Sequence, residues 1–453
     1  MKINPDIFKA YDIRGKFPRE LNESVAEQIG KASALYFAKK SKKKKPQILV
    51  ATDLRISSPA LFRGLVRGLI SQGADVLQGG EATTPYFYFL LAKIKPDGGI
   101  MVTASHSPAE YNGFKLQDHE LKAVSLNSGL EVIRDMAITG EFKKSGWMGE
   151  IKEVENMSEK YLDFVAHGFS IDPIKVVVDV AGGAETLFIQ KLLNRFPGIK
   201  YKPLYFSPDG SFSKHSPNPT TLEGQKSAKD ALQSGEFRCA AIFDGDSDRV
   251  IFLDEKGQQV RTDFIFALLA ETELKKKKGL TFATTLNTSK SIREYVKEQG
   301  GNIVLTPQGY PFLQKIMRQK DALIGVELSG HFHFKKAFFR DSTLIPFLGV
   351  LQYLSKTKEP LSRIVNRLQR YISSQEIAFE VRDKQAVIEK IKKIFSEGSA
   401  KLSFLDGVTV EEPDWWFNLR AANTESVVRL ALEAKNEKLF EEKMKEIKKL
   451  ITA

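Results

Sequence analysis

Short apolar runs alternate with stretches that carry apolar residues at helical spacing, and this alternation limits the fold more than any other feature of the chain. Ile48 to Thr52 reads as a buried strand, and Pro59 to Gln72 as a helix with Leu61, Leu65 and Leu69 on one face. Asp75 to Gln78, the helical Tyr86 to Lys93 and the apolar Gly99 to Val102 continue the rhythm. It returns as strand, helix, strand over Lys175 to Val180, Glu185 to Asn194 and Tyr201 to Tyr205, then as helix Ser227 to Ser234 and strand Ala240 to Phe243. A third round follows Val250 to Leu253, with helices Phe264 to Leu274 and Ser289 to Gln299 and strands Thr281 to Thr285 and Asn302 to Leu305. Such alternation predicts α/β layers on mostly parallel sheets, here as three similar units of ~100 to 150 residues. The last ~80 residues group strands with two helices, which predicts a separate small α+β domain. Its expected strands are Gln375 to Val381, Gly407 to Val410, Trp415 to Leu419 and Val427 to Leu432, and its helices Ala386 to Phe395 and Leu439 to Ile451.

Composition narrows the partners. With 453 residues, 42% of them hydrophobic and 27% charged, the chain has the make-up of a soluble globular protein. The formal net charge of +12 suits anionic ligands. Its only dense basic runs, Lys42 to Lys45 and Lys275 to Lys278, lie between apolar segments and read as solvated loops or helix ends. No aromatic stripe is interleaved with them, so no nucleic-acid partner is expected. A single cysteine, Cys239, excludes an intrachain disulfide and reads as a small core residue. Met1 to Asp6 carries no apolar h-region, and no run approaches the ~20 apolar residues of a membrane span. The expected compartment is the cytoplasm, with no membrane partner.

Two segments carry most of the chemistry. Thr103-Ala-Ser-His-Ser-Pro108 places a hydroxyl in a polar turn directly after an apolar run, with Lys115 following in Tyr111-Asn-Gly-Phe-Lys115. Asp244-Gly-Asp-Ser-Asp-Arg249 sets three carboxylates at alternate positions beside an arginine. In a tight loop they can converge on one hard cation, Mg²⁺ or Ca²⁺. A bland solvated hairpin is one alternative. An EF-hand is another, since Glu255 falls at the loop's twelfth position, but Arg249 stands where that loop needs glycine and both flanks read as strands. Ser105 is either a plain turn serine or a phosphoryl carrier. A phosphoserine bears about −1.5 to −2 charges and needs a cation and donors nearby. His106, Lys115, Arg14 and Arg249 are the candidates, an inventory that suits phosphoryl transfer.

Two further segments are weaker signals. Glu327-Leu-Ser-Gly-His331 is either a polar strand end or a set of donors and acceptors for sugar hydroxyls. Arg420-Ala-Ala-Asn-Thr-Glu-Ser426 offers Arg420, Asn423, Thr424 and turn amides as a phosphate cradle, while Trp415 and Trp416 before it read as packing residues.

Taken together, these motifs resemble the α-D-phosphohexomutase superfamily, in particular its phosphomannomutase/phosphoglucomutase branch. The similarity runs from Phe8-Lys-Ala-Tyr-Asp-Ile-Arg-Gly15 to about Ala434 and includes the serine loop, the metal loop, the sugar loop Gly325 to His331 and the phosphate loop Arg420 to Ser426. The resemblance implies three α/β domains and a smaller C-terminal α+β domain around a central cleft, which here would be residues 1–152, 153–255, 256–370 and 371–453. It implies phosphoserine at Ser105, and one Mg²⁺ per active site held by Asp244, Asp246, Asp248 and the Ser105 phosphoryl group. Arg249 would support that group, and Arg14 and Lys115 would sit by the reacting hydroxyl as acid/base or charge-stabilising residues. Glu327 and Ser329 would hold sugar hydroxyls with His331 nearby, and Tyr310 would line the same substrate site. Arg420, Asn423 and Thr424 would grip the non-reacting phosphate.

The implied reaction interconverts hexose 1-phosphate and hexose 6-phosphate, of mannose or glucose, with hexose 1,6-bisphosphate as intermediate and activator. The implied partner is a small sugar phosphate, and the implied state a monomer or weak homodimer. A phosphoglucosamine mutase, a hydrolase and a non-catalytic sugar-phosphate binder are the rival readings. The chain departs from the family pattern at Ser107, at Ala181 to Ala184, at Asn287, at Tyr310 (commonly histidine), at Val326, at Ala422 and at Ser426.

Overall fold

The computed structural model describes residues 3–143, 145–398, 400–422 and 427–452, apart from the Gln375 side chain. It divides into two compact units, Met1–Gln259 with His331–Pro360, and Val260–Gly330 with Leu361–Ala453.

The first unit holds two sheets. In one, the order is Ile13–Lys16, Tyr111–Asp118, Gly98–Val102, Gln47–Thr52, Asp75–Glu81 and Ile151–Glu153. Its centre is parallel, as the strand–helix alternation predicts, with Gln47–Thr52 paired to both Asp75–Glu81 and Gly98–Val102. The edge carrying Tyr111–Asp118 and Ile13–Lys16 is antiparallel. Gly113 in that edge cannot carry a side chain, because a Cβ there would lie 2.0 Å from the Ile13 carbonyl oxygen. The long helix Glu23–Ser41 starts on Asn22, whose side chain accepts from the Ser24 and Val25 amides. It lies against Ser58–Ser71 at a separation only small residues permit. A Cβ on Gly68 would meet the Glu27 carbonyl oxygen at 2.1 Å. The second sheet orders Val250–Asp254, Cys239–Phe243, Ile174–Asp179 and Ile199–Leu204. Cys239–Phe243 and Val250–Asp254 form an antiparallel hairpin.

The stretch expected as one helix over Glu185 to Asn194 is broken. A 3-10 turn covers Ala184–Leu187, and the α-helix begins only at Ile189 and ends at Asn194. Phe188, at φ −125°, separates the two. Cys239 is fully buried in its strand, and burial pushes its thiol up to about 12.

In the second unit, Asn302–Thr306, Thr281–Thr285 and Ile324–Val326 pair in parallel. The C-terminal part forms an antiparallel sheet ordered Ile372–Glu380, Val427–Ala434, Trp415–Ala421, Val408–Glu411 and Lys401–Ser403, with helices Lys384–Ser396 and Glu437–Thr452 contributing to its core. Trp416 is buried there, with its indole N–H donating to Glu433 at 2.8 Å, so it packs as expected. The chain thus carries three α/β domains with mixed, partly parallel sheets and a smaller C-terminal domain. Lys42 caps the helix Glu23–Ser41 in the left-handed region, and Lys275 and Lys276 close the helix Thr262–Lys276, so the basic runs are helix ends and loops. No helix among the described residues is long and apolar enough to cross a membrane.

Candidate active site

Three adjacent strands and one hairpin of the first unit bring the serine and the aspartates together. Gly98–Val102 delivers the chain into Thr103 to Pro108, while its neighbour Tyr111–Asp118 carries Lys115 opposite Met101. Ile13–Lys16 on the next position carries Arg14 opposite Gly113. The hairpin Cys239–Phe243 to Val250–Asp254 presents Asp244 to Arg249 in its turn. That turn is closed by a bond from the Asp244 amide to the Arg249 carbonyl and contains Ser247 at φ +59°.

Asp244, Asp246 and Asp248 are buried, and ligand oxygens from all three lie within 4.8 Å of one another. Neither a solvated hairpin nor an EF-hand fits this: the turn is buried, and its flanks are antiparallel strands. The donor set fits a hard divalent cation, because each carboxylate is tied down by one oxygen and offers the other. Asp246 Oδ2 accepts from Thr84 Oγ1 (2.6 Å), Thr103 Oγ1 (3.1 Å) and Lys115 Nζ (2.8 Å), whereas Asp246 Oδ1 is buried without a partner among the described residues. Asp248 Oδ2 is held by Lys115, leaving Oδ1 facing Ser105 Oγ at 3.3 Å. Asp244 Oδ1 accepts from the Arg249 amide, leaving Oδ2 at 3.0 Å from Ser105 Oγ. An orphaned buried carboxylate oxygen is costly unless a cation takes it.

The charges sort the three acids. Burial, with Asp248 and Asp246 close by, pushes Asp244 well above the usual carboxylate range. Burial acts on Asp248 too, but Lys115, His331 and Arg249 overcome it and hold that carboxyl well below its ordinary value. Lys115 is itself buried, which disfavours its charge, yet Asp246 and Asp248 keep it cationic well above the ordinary lysine range.

Ser105 sits at φ +51° and is 2% exposed. Its amide donates to Thr103 Oγ1 at 2.9 Å, so the Thr103 hydroxyl bridges the serine backbone to Asp246. Ser105 Oγ lies 3.2 Å from His106 Nδ1. Burial, then Arg249 and Arg14, push the His106 imidazole down to about 2, so the ring is neutral at ordinary pH. Arg14 Nη1 donates to Ser107 Oγ at 3.0 Å and Nη2 to Asp12 at 2.6 Å. The serine at 107, one of the departures from the family pattern, therefore serves as an acceptor that orients Arg14.

His331 lies with this cluster. Its Nε2 accepts from Arg249 Nε at 3.0 Å, and its Nδ1 is 3.3 Å from Asp341 Oδ1. Beneath the aspartate turn, Ser247 Oγ donates to Glu185 at 2.5 Å and lies 3.1 Å from Thr343 Oγ1. Burial pushes the Glu185 carboxyl up to about 8, with the Ser247 bond working against it. Sequence reasoning missed Thr84, Glu185, Asp341 and Thr343, because single hydroxyls and acids far apart in the chain leave no local pattern.

The remaining sequence-derived residues belong to the second unit. Glu327 is buried, the Leu328 carbonyl accepts from Thr262 Oγ1 at 3.0 Å, and Ser329 is partly exposed on the same turn. Tyr310 opens the helix Tyr310–Lys320 behind Gly309. Arg420 donates through Nε and Nη2 to Glu376 Oε1 at 3.1 and 2.8 Å, and Asn287 Nδ2 approaches the same oxygen at 3.4 Å. Asn423 and Thr424, like Ser426, lie outside the described residues.

The chain matches four family models in order. They describe the phosphoglucomutase/phosphomannomutase α/β/α domain I over residues 5–132, domain II over 159–257, domain III over 261–371 and the C-terminal domain over 376–450. It is 36% identical over 448 residues to a phosphomannomutase of Methanocaldococcus jannaschii, covering 98% of this chain and 97% of that one. To a protein of Xanthomonas campestris named phosphohexose mutases it is 32% identical, covering 98% of each. A crystal structure of a phosphoglucomutase/phosphomannomutase family protein from Burkholderia thailandensis superposes with a TM-score of 0.89 at 26% identity, covering 99% of this chain and 97% of that one. The protein is therefore an enzyme of the intramolecular phosphotransferase class, a phosphohexomutase. It belongs to the phosphoglucomutase/phosphomannomutase family.

Proposed function

We propose that the enzyme interconverts mannose or glucose 1-phosphate and 6-phosphate through a phosphoserine at Ser105 and a hexose 1,6-bisphosphate, with Mg²⁺ at the three aspartates. The observation that carries this reading is the position of Ser105 Oγ, 3.0 Å from Asp244 Oδ2 and 3.3 Å from Asp248 Oδ1, in a buried turn ringed by Lys115, Arg14 and Arg249. A hydroxyl is not placed among carboxylates for its own stability; a group transferred onto it, with a cation between, explains the arrangement. Asp244, Asp246, Asp248 and the Ser105 group would hold Mg²⁺, which when bound offsets the negative charge of the transferred phosphoryl group.

The chain's own residues do the rest. Lys115 and Arg14 bring positive charge to the oxygens that exchange the group, and Arg249, steadied by His331, supports it from the aspartate side. His106, neutral in its buried setting, can accept a hydrogen bond from the Ser105 hydroxyl at Nδ1 and so orient it when the serine is free. Glu327, Ser329 and Tyr310 are assigned to the sugar, and Arg420 with Asn423 and Thr424 to the phosphate that is not reacting. The bisphosphate serves as intermediate, and as activator when Ser105 starts unphosphorylated. The cytoplasm is the compartment this reading implies, where a lone buried thiol such as Cys239 stays reduced.

The test is ³¹P NMR of the enzyme with Mg²⁺, a trace of glucose 1,6-bisphosphate and, in turn, mannose, glucose and glucosamine 1-phosphates. A new 6-phosphate signal with mannose or glucose is expected. Ser105→Ala should keep the fold and lose at least ~1,000-fold in turnover, as removal of a covalent nucleophile does. Free phosphate alone, or full activity in Ser105→Ala, would refute the reading.

A further inference from the structure

We propose that Arg55 is the positioning residue for the Ser105 nucleophile, its buried guanidinium gathering the backbone carbonyls of the serine loop and fixing the loop for phosphoryl transfer. The inference rests on the phosphoserine reading above and adds to it a residue that makes no contact with the transferred group.

Arg55 is 1% exposed, yet it is an arginine, a side chain that stays charged and needs acceptors for five N–H bonds. Almost all of them come from one loop. Nη2 donates to the carbonyls of Ser105 at 2.7 Å and Ser107 at 2.6 Å. Nη1 donates to those of Pro108 at 2.9 Å and Tyr111 at 3.1 Å. Nε faces Asp53 Oδ2 at 3.2 Å. Asp53 is locked in turn, its Oδ1 accepting from the Arg55 amide at 3.0 Å and from Ser58 Oγ at 2.6 Å. The Phe212 ring covers the guanidinium, 5.0 Å from its centre.

A planar fork that collects four carbonyls from residues 105 to 111 does more than fill a core. In a trans peptide the N–H of one residue points opposite to the carbonyl before it. Anchoring the Ser105 carbonyl therefore fixes the ψ of Ser105, a residue held in the left-handed region at φ +51°, and with it the direction of the His106 amide. The same carbonyl is crowded from the aspartate turn: a Cβ on Gly245 would stand 2.7 Å from it. Arg55 thus sets how the hydroxyl meets Asp244 and Asp248, through a carbonyl oxygen gripped from one side and abutted from the other. Lysine cannot reproduce this, since its ammonium has three donors in no fixed plane.

Arg55→Lys tests the idea. Secondary structure by circular dichroism should be kept. The KM for hexose 1-phosphate should stay within about threefold, because Arg55 does not touch the substrate, while kcat falls about 100-fold, the effect of misplacing a reacting group by roughly 1 Å. The rate at which Ser105 takes up a phosphoryl group from glucose 1,6-bisphosphate, followed by intact mass, should fall with kcat. A folded Arg55→Lys enzyme with the wild-type rate of uptake overturns the proposal, as does a change confined to KM. Should that variant fail to fold, the neutral pair Asp53→Asn with Arg55→Gln leaves no unpaired charge. It should show the same selective loss of kcat, and wild-type kcat in it is equally decisive. If the wild-type enzyme takes up no phosphoryl group at all, the phosphoserine reading has failed and this proposal falls with it.

Discussion

Replacing Lys115 with methionine tests the charge balance of the aspartate cluster directly. Methionine keeps most of the length and removes the ammonium. Lys115 Nζ lies 2.8 Å from Asp246 Oδ2 and contacts Asp248 Oδ2, and all three groups are buried. Removing one partner of a buried ion pair costs about 3–5 kcal/mol. Coulomb's law gives the same size, about 4 kcal/mol for unit charges 4 Å apart at an effective dielectric of 20. The cluster has two ways to relieve the loss. One is a proton. Lys115 is the chief reason Asp248 lies below its ordinary value, so in wild type Asp248 lends stability that is lost as pH falls through its depressed folded value. Without Lys115 its folded value should rise, leaving burial opposed mainly by His331 and Arg249, so part of the cost of keeping Asp248 ionised shrinks as pH falls. The other is a divalent cation, worth about 2.7 kcal/mol at a hundredfold excess over Kd. Thermal unfolding in EDTA should therefore show Lys115→Met well below wild type at about pH 7.5 and much nearer to it at about pH 5.5. Mg²⁺ should raise the variant's Tm more than that of wild type. An equal deficit in EDTA and Mg²⁺, and at both pH values, would refute the charge argument and the metal site built on it.

Two further outcomes follow from the geometry. Glu185 has a folded value raised to about 8, so wild type loses stability as pH rises from the ordinary glutamate range to that value. Glu185→Gln does not ionise, and its stability relative to wild type should improve by several kcal/mol across that window in paired urea titrations; a constant difference would mean Glu185 is ionised in the fold. Glu376 holds Arg420 through two short bonds, so Glu376→Gln should free it for phosphate and lower the KM for hexose 1-phosphate about fivefold, the ~1 kcal/mol between a charged and a neutral hydrogen bond. An unchanged or higher KM would count against Arg420 as a phosphate ligand.

Strands and short helices were legible because each is an apolar run bounded by turn residues. Thr281–Thr285 has its expected limits, and Asn302–Thr306 and Val250–Asp254 fall within one residue of theirs. The longest helix was not legible. Glu23–Ser41 buries Val25, Ile29 and Phe37, but among them Ala26, Gly30, Ala32, Ser33 and Ala34, small residues that allow close helix contact and dilute the apolar pattern. The serine and aspartate loops announced themselves through residue type and spacing. Their supports did not: Arg55 reads as one more charge in a turn, and Thr84 as an ordinary helix start, until the fold puts the first behind Ser105 and the second on Asp246.

The departures from the family pattern fall unevenly across the chain, and this bears on what the enzyme can vary. Ser105, the three aspartates, Arg14, Lys115, Arg249 and His331 all belong to the first unit, where they form one hydrogen-bonded network. Ser107 is absorbed by it as the acceptor for Arg14, and the departure at Ala181 to Ala184 is absorbed too, the Ala184 amide donating to the Gly245 carbonyl of the aspartate turn at 2.9 Å. Asn287, Tyr310, Val326 and Ala422 belong to the second unit, with Arg420 and Glu376. Asn287 and Arg420 there share one carboxylate oxygen, so a replacement at 287 alters how firmly Glu376 is held and, through it, how readily Arg420 is released. A network that exchanges a phosphoryl group with a fixed serine tolerates few changes, because each member neutralises another. Residues that would only select the sugar and seat its second phosphate, as proposed for the second unit, could change one at a time. On the proposed reading, the departures in the second unit would therefore bear on which hexose phosphate is preferred and how tightly it binds, while phosphoryl exchange at Ser105 would depend on the first.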